Sequence, residues 1–166
     1  MGAHDFQDEA IGRTMAEAYG AAVESAQYEY GHDAYNGTIS TTSGCVSIDA
    51  ILKPFSAARR EVIAQCAIGV QRFDPQYDEK PKRGDYDVLH TYEGWNGRGQ
   101  YLVPKQVKPA ERDACVEVGL RVEKWGPALG YEITGKRATE IKRSMTARGY
   151  KTRGRKVYRF VGLAAS

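Results

Sequence analysis

Apolar and polar residues alternate with two periods along this chain, one typical of strands and one typical of helices. Residues 3–12 predict an edge or half-buried strand with Phe6 and Ala10 facing inward. Thr14 and Glu17 form a capping box, which predicts that a helix begins immediately after it. The apolar stripe of that helix consists of Met15, Ala18, Tyr19, Ala22, Val23, Ala26 and Tyr30. The chain is thus expected to open with a strand and an amphipathic helix.

Turn signals dominate the next part of the chain. Asn36-Gly37 and Ser43-Gly44 lie among β-forming residues, and they predict a loop that leads into a hairpin. Ser56 can cap a second helix, since an apolar stripe follows it. That stripe contains Val62, Ile63, Cys66, Ala67 and Val70. Residues 73–87 are polar and predict an exposed loop.

Two β-rich runs, residues 87–95 and 100–107, flank Asn96-Gly97, which is a strong hairpin signal. Residues 109–125 fit both a strand and a helix. The helix is favoured because Pro109 suits a first helical position and Lys124 suits a last turn.

The end of the chain predicts a short strand through Tyr131 and Ile133, a helix over residues 137–148 and a strand over residues 156–163. Together these elements predict one α+β domain spanning residues 1–166. We expect a mostly antiparallel sheet packed by three to four helices, ending in a basic helix, turn and strand.

Composition narrows the class of protein. Of the 166 residues, 42% are hydrophobic and 27% are charged, which is typical of a globular protein in water. No run is long and apolar enough to predict a membrane span, and the first residues lack the pattern of a secretory signal. Three widely spaced cysteines predict reduced, buried thiols, so we expect a cytoplasmic location.

The net charge of +3 conceals a division within the chain. The basic segment, residues 136–159, holds ten Lys or Arg residues against Glu140, which gives +9 and leaves −6 for the rest. A patch of this kind attracts polyanions. Nucleic acid, DNA or RNA, is therefore the first expected partner.

The basic segment has the sequence outline of a recognition helix followed by a basic wing. Gly154 would let the turn approach a nucleic-acid backbone, and Tyr150 and Tyr158 are candidates for stacking on exposed bases. The candidate phosphate contacts are Lys142, Arg143, Arg148, Lys151, Arg153, Arg155 and Lys156. The alternative interpretation is a solvated helix face beside a basic turn.

Catalytic or metal chemistry has weaker support. His4-Asp5, His32-Asp33 and His90 supply imidazole and carboxylate groups, but their spacing matches no metal-binding or acid–base motif. We therefore expect no cofactor, no transition metal and no required enzymatic activity.

Three segments resemble landmarks of small bacteriophage-encoded accessory proteins of unassigned function. These segments are GHDAYNGTISTTSG, KWGPA and VYRFVGLAA, in this order. The resemblance covers roughly the first 45 and the last 40 residues, with only the joining strands matched in the second part. The middle of the chain and the basic helix are particular to this sequence. The resemblance implies a viral origin and an accessory role in the cytoplasm of an infected host, and it brings no catalytic residue with it.

The first of these landmarks also supports a different function. His32, Tyr35, Asn36 and Thr38 place an imidazole, hydroxyls and an amide on one loop, and such groups can recognise a nucleotide-like ligand or a host protein. The simpler interpretation is a turn followed by β-forming threonines.

Overall fold

The structure is a computed structural model that describes residues 2–94 and 97–166. Within these residues, five α-helices and seven β-strands form an α+β fold, which confirms the predicted class. The chain forms two compact units, one of Met1–Ala50 with Val122–Ser166 and one of Ile51–Arg121. That residues 1–166 form a single domain stays a prediction. No helix in the described part of the chain is long and apolar enough to cross a membrane.

The elements follow one another in a mixed order. The strands are β1 Ala3–Gly12, β2 Cys45–Ser47, β3 Gln71–Arg72, β4 Asp87–Gly94, β5 Gly97–Pro104, β6 Ala128–Ile133 and β7 Lys156–Ala165. The α-helices are α1 Met15–Tyr30, α2 Asp49–Leu52, α3 Ala57–Ala67, α4 Arg112–Gly119 and α5 Gly135–Ala147. Two 3-10 helices span Ile39–Thr41 and Pro109–Glu111.

A four-stranded sheet in the order β1-β7-β6-β2 organises the first unit. β7 pairs antiparallel with both β1 and β6, while β2 pairs parallel with β6. The register is continuous from Ala3, opposite Ala165, to Gly12, opposite Lys156. β1 is therefore an edge strand, as predicted, and its bounds are the predicted ones.

The two faces of this sheet have separate packing partners. Phe6 and Ala10 of β1 are buried with Phe160 of β7 in the core beneath α1, which confirms their predicted inward positions. Ile11 and Val157 belong to the opposite phase of the same strands and are buried on the other face. Because side chains alternate along a strand, the phase of β1 also decides where its polar residues point.

Helix α1 confirms the predicted cap and most of the predicted stripe. The Glu17 N–H donates to Thr14 Oγ1 (3.2 Å), which is the N-cap half of the predicted capping box. The buried centre of the helix is Ala18, Ala22 and Ala26, with Met15, Tyr19 and Val23 partly buried beside it. Tyr30 was expected on this face but is 58% exposed. Residues spaced four apart drift by about 40° per step, so the row has rotated by about 120° from Ala18 to Tyr30.

The hairpin predicted after residue 36 does not form. Ile39–Thr41 is instead a 3-10 helix, and β2 pairs in parallel with β6, with Cys45 opposite Ala128. The Gly37 N–H donates to the Ala165 carbonyl (2.8 Å), and Ile39 is fully buried. These contacts hold the loop against the end of β7, so that β2, the strand after the loop, lies beside β6.

The second unit contains a three-stranded antiparallel sheet in the order β3-β5-β4. Helix α3 begins as predicted, because Ser56 Oγ accepts from the Arg59 N–H (3.3 Å). The β4–β5 hairpin is also confirmed, with Gly94 opposite Gly97. Gly97 belongs to β5, and Asn96 of the predicted turn lies outside the described residues.

Residues 109–125 confirm the helix rather than the strand, but the helix is shorter than predicted. It begins as the 3-10 turn Pro109–Glu111, continues as α4 and ends at Gly119, so Lys124 is not in its last turn. A Cβ atom at Gly119 would lie 2.8 Å from the Ala67 carbonyl oxygen, so α3 and α4 pack closely there. Arg59 pairs with Glu111 through two hydrogen bonds (2.6 and 2.7 Å), which lower the pKa of Glu111.

The last three elements confirm the predicted strand, helix and strand. Thr134 is the N-cap of α5, so the helix begins at Gly135, two residues before its predicted start. The last strand, β7, continues to Ala165, beyond the predicted Leu163. It is an inner strand of the sheet, flanked by β1 and β6.

Two glycines provide a matched test of how closely β1 and α1 pack where they join. At Gly12 an added Cβ would lie 2.6 Å from the Ala18 backbone nitrogen, whereas at Gly20 it meets nothing within 4 Å. We expect Gly12→Ala to destabilise the fold by about 1–3 kcal/mol through overpacking. We expect Gly20→Ala, in the middle of α1, to stabilise it by about 0.5–1 kcal/mol. Urea unfolding of both variants checks the pair, and equal effects of the same sign would contradict it.

Candidate nucleic-acid interface

Helix α5 presents a narrow apolar face and a wide basic one. Ala138, Ile141 and Met145 recur at helical spacing and are buried or partly buried. Lys136 and Arg143 are seven residues apart, so they lie on the opposite, exposed side of the helix. Because the apolar residues of α5 pack inward, Lys136 and Arg143 on the opposite side of the helix are exposed.

The end of α5 is defined by its hydrogen bonds. The Tyr150 N–H donates to the Met145 carbonyl (3.0 Å), and the Gly149 N–H donates to the Thr146 carbonyl (3.0 Å). This pair of bonds is the Schellman motif, and it needs a residue with positive φ at Gly149, where φ is 92°. The direction in which the chain leaves the helix is therefore set by the backbone.

A tight turn follows at once. The Arg155 N–H donates to the Thr152 carbonyl (3.1 Å), and Gly154 supplies the positive φ of 71° that this turn requires. Thr146 Oγ1 and Thr152 Oγ1 lie 2.8 Å apart, in hydrogen-bond contact, which ties the turn to the helix. Arg153 is exposed at the tip of the turn.

The predicted basic wing is absent. A wing is a hairpin between two neighbouring strands, but residues 148–155 connect α5 to the inner strand β7. The sequence pattern of a turn followed by a strand is the same in both cases. In place of a wing, the chain has the C-terminus of α5 and a turn held by hydrogen bonds.

The candidate phosphate contacts divide into two groups. One group forms no ion pair with any acid in the described part of the chain, and we call it the unpaired cations. Its members are Lys142, Arg143, Arg148, Lys151 and Arg153. All are exposed except Lys142, which is partly buried.

Arg155 and Lys156 form the second group. The Arg155 guanidinium lies 3.8 Å from the Glu17 carboxylate and donates to the Lys151 carbonyl (2.6 Å). Lys156 Nζ lies 3.2 Å from Glu132, and the hydrogen bond to Glu132 raises the pKa of Lys156. Both cations would have to leave an acid in order to contact a phosphate.

Arg159, the last cation of the basic segment, is 1% exposed and cannot contact a polyanion. Its guanidinium donates to Glu9 and to the Tyr131 hydroxyl. Arg137 also reaches Glu9 (3.7 Å). These two arginines hold β1, β7 and α5 together.

Of the two tyrosines predicted to stack on bases, one has the necessary exposure. Tyr150 is 50% exposed, and the Arg148 guanidinium lies over its ring, 5.5 Å from the centroid. Tyr158 is 7% exposed in the core beneath α1, so its prediction is wrong. Tyr158 lies on the face of β7 that packs beneath α1, and a count of charged residues does not indicate which face a strand residue occupies.

The alternative ligand loop is held by its own polar groups. Asn36 Nδ2 donates to the Gly31 carbonyl (3.0 Å) and to Ser40 Oγ (2.9 Å), while Asn36 Oδ1 accepts from the Thr38 hydroxyl (2.7 Å). His32 is exposed, and the Tyr35 ring packs edge-on against Trp125 at 5.3 Å. Asn36 and Thr38 therefore have a structural role in this loop.

Sequence reasoning missed a groove beside this loop. It has a volume of about 450 Å³ and is lined by residues of β1, the C-terminal half of α1 and residues 36–38. Asp8 and Glu29 are among its acids, and burial together with Glu29 raises the pKa of Asp8. The two-residue period of the strand could have revealed the groove's acidic lining, because it places Asp8 on the same face of β1 as Phe6 and Ala10.

The imidazole and thiol groups that could serve in catalysis are exposed apart from one another, paired with an acid or at least partly buried. His90 Nε2 lies 2.7 Å from Asp113 Oδ1, and His4 and His32 are exposed. Burial raises the pKa of the Cys115 thiol to about 12, so this thiol stays protonated at neutral pH. Among the described residues, no group of three or more His, Cys, Asp or Glu side chains is placed to hold a metal ion.

Comparisons with protein-family models, with curated proteins and with solved structures gave no match to this chain.

Gly149 allows a direct test of the helix end. Its left-handed backbone is open to a side chain, since a Cβ would meet nothing within 4 Å, so the penalty of substitution is conformational. We expect Gly149→Ala to cost about 1–2 kcal/mol of stability. Gly149→Asn should cost less, because Asn tolerates this conformation. Thermal unfolding measures both, and an Ala variant as stable as the parent would rule out the motif.

Proposed function

We propose that this protein binds nucleic acid through the unpaired cations of α5 and the following turn. The observation that carries the proposal is that five cations have no acidic partner in the described chain and lie on or beside a backbone fixed by hydrogen bonds. Exposed cations that neutralise phosphates release counterions, which is the main source of affinity for a polyanion.

The distribution of charge supports a localised interface. The basic segment carries +9 and the remainder of the chain carries −6. The positive region attracts a polyanion, while the acidic remainder repels it, so the complex is expected to form in one orientation. Arg155 and Lys156 contribute less, because each already pairs with an acid.

Tyr150 favours single strands over duplex. Its ring is half-exposed, its backbone N–H is held by the Schellman motif, and Arg148 lies over the ring. Bases of a single strand are free to stack on such a ring, whereas bases in a duplex are already stacked on one another. The role of a phage accessory protein in the host cytoplasm is part of the proposal and rests on the sequence resemblance.

Salt dependence tests the phosphate contacts. In the quadruple variant, Lys142, Arg143, Lys151 and Arg153 are replaced by Ala. Removing one cation that neutralises a phosphate should reduce the slope of log affinity against log salt by about 0.7 for a single strand, so all four should reduce it by about 3. Fluorescence anisotropy with a labelled oligonucleotide at several salt concentrations measures the slope.

The matched control removes equal charge elsewhere, by replacing Lys53, Arg72, Lys80 and Arg83 of the second unit, all exposed, with Ala. It should keep nearly the parent slope. Equal slopes in the parent and the quadruple variant, or no binding by the parent near physiological salt, would contradict the proposal.

Base stacking is tested separately by Tyr150→Ala. We expect it to weaken binding of a single-stranded oligonucleotide by about 1–3 kcal/mol and to leave duplex binding nearly unchanged. The control is Tyr77→Ala, since Tyr77 is 79% exposed in the second unit. A loss of the same size for both nucleic acids would show that the ring does not stack on bases.

A further inference from the structure

The outer edge of β1 has free backbone groups. Gly2 and Ser166 exchange both backbone hydrogen bonds (3.1 and 3.3 Å), so residues at even positions of β1 direct their backbone N–H and C=O groups toward β7. Residues at odd positions therefore direct their N–H and C=O groups away from the sheet. Among the described residues, no backbone group or side chain bonds to this outer edge.

The accessible part of this edge covers residues 3–9. Ala3, Asp5 and Gln7 are exposed and Glu9 is partly exposed, whereas Ile11 is buried. An exposed row of unpaired backbone groups is a template for another strand. Seven residues span about 24 Å at about 3.4 Å each, which is the length of an ordinary strand.

The groove beside this edge supplies pockets for side chains. It is lined by four consecutive residues, 6–9, so it includes the backbone of β1 as well as one face of the strand. Phe6, Ala22 and Ala26 provide apolar surface, while Asp8 and Glu29 provide negative charge. Asp8 is partly buried near Glu29, and a cation placed there would stabilise both carboxylates.

Charge decides the kind of strand that fits. Asp5 and Asp8 leave the accessible edge acidic, because the third carboxylate, Glu9, already pairs with Arg137 and Arg159. A second copy of β1 would bring these like charges together, whereas a basic strand would meet opposite charge at both positions. The charge pattern thus disfavours self-pairing and favours a basic partner.

We propose that the β1 edge and the adjoining groove bind an extended, basic peptide segment of a partner protein as an added strand. Backbone hydrogen bonds to the odd residues hold the peptide, and Asp8 and Glu29 select a Lys or Arg side chain. The groove contains none of the unpaired cations, and the proposal does not depend on the proposed nucleic-acid binding.

Labelled peptides of about eight residues with alternating Arg and Val test the proposal on the full chain. We expect the Arg-Val peptide to bind and a Glu-Val peptide not to bind. N-methylation of the valines should abolish binding if the added strand is antiparallel, and N-methylation of the arginines should do so if it is parallel. The other methylated peptide should bind like the parent.

The acids are tested by the double variant Asp8→Asn with Glu29→Gln. It should bind the Arg-Val peptide about 3- to 30-fold more weakly. The control, Glu24→Gln with Glu79→Gln, removes the same charge from exposed positions outside the groove and should bind like the parent. Hydrogen exchange should show new protection at the Asp5 and Gln7 amides when the peptide is present.

Four results would overturn the proposal. These are no binding at about 1 mM Arg-Val peptide, equal loss with both methylated peptides, equal affinity of the double variant and its control, and self-association of the protein with protection of the same amides. The last result would assign the edge to a second copy of the chain.

Discussion

The contact between Arg159 and Glu9 determines how the first unit is assembled. Arg159 lies in the inner strand β7, is almost completely buried, and bonds to Glu9 on β1 and Tyr131 on β6. A buried cation is strongly unfavourable unless it is paired, so these strands cannot slip by one residue without separating Arg159 from its partner. Arg137 reaches the same carboxylate from α5. One carboxylate therefore fixes the phase of β1 and helps to position the basic helix.

Both proposed surfaces depend on this arrangement. With β1 held in phase, its odd residues direct their backbone groups outward and Asp8 faces the groove. With α5 held by Arg137 and its apolar face, Arg143 is turned to the outside. The edge of β1 and the basic helix thus belong to one unit, and they meet where Arg137 pairs with Glu9.

Local chemistry explains what the sequence predicted well. The Thr14 and Ser56 caps, the inward positions of Phe6 and Ala10 in β1, and the stripe of α1 each involve neighbouring residues, so composition and period are sufficient. The errors involve distant residues. The parallel partner of Cys45 is Ala128, the partners of Arg155 and Lys156 are Glu17 and Glu132, and Arg159 is covered by strands on both sides. Spacing along the chain has no information about such contacts.

The place of β7 in the sheet also affects how the protein is made. A ribosome completes β1 about 140 residues before β7, yet the two strands are direct neighbours. Until β7 emerges, β1 and β6 lack the strand that joins them, while the whole of Ile51–Arg121 is already available to fold by itself. Among the described strands, β1 therefore has the longest interval between its own synthesis and that of the strand it pairs with.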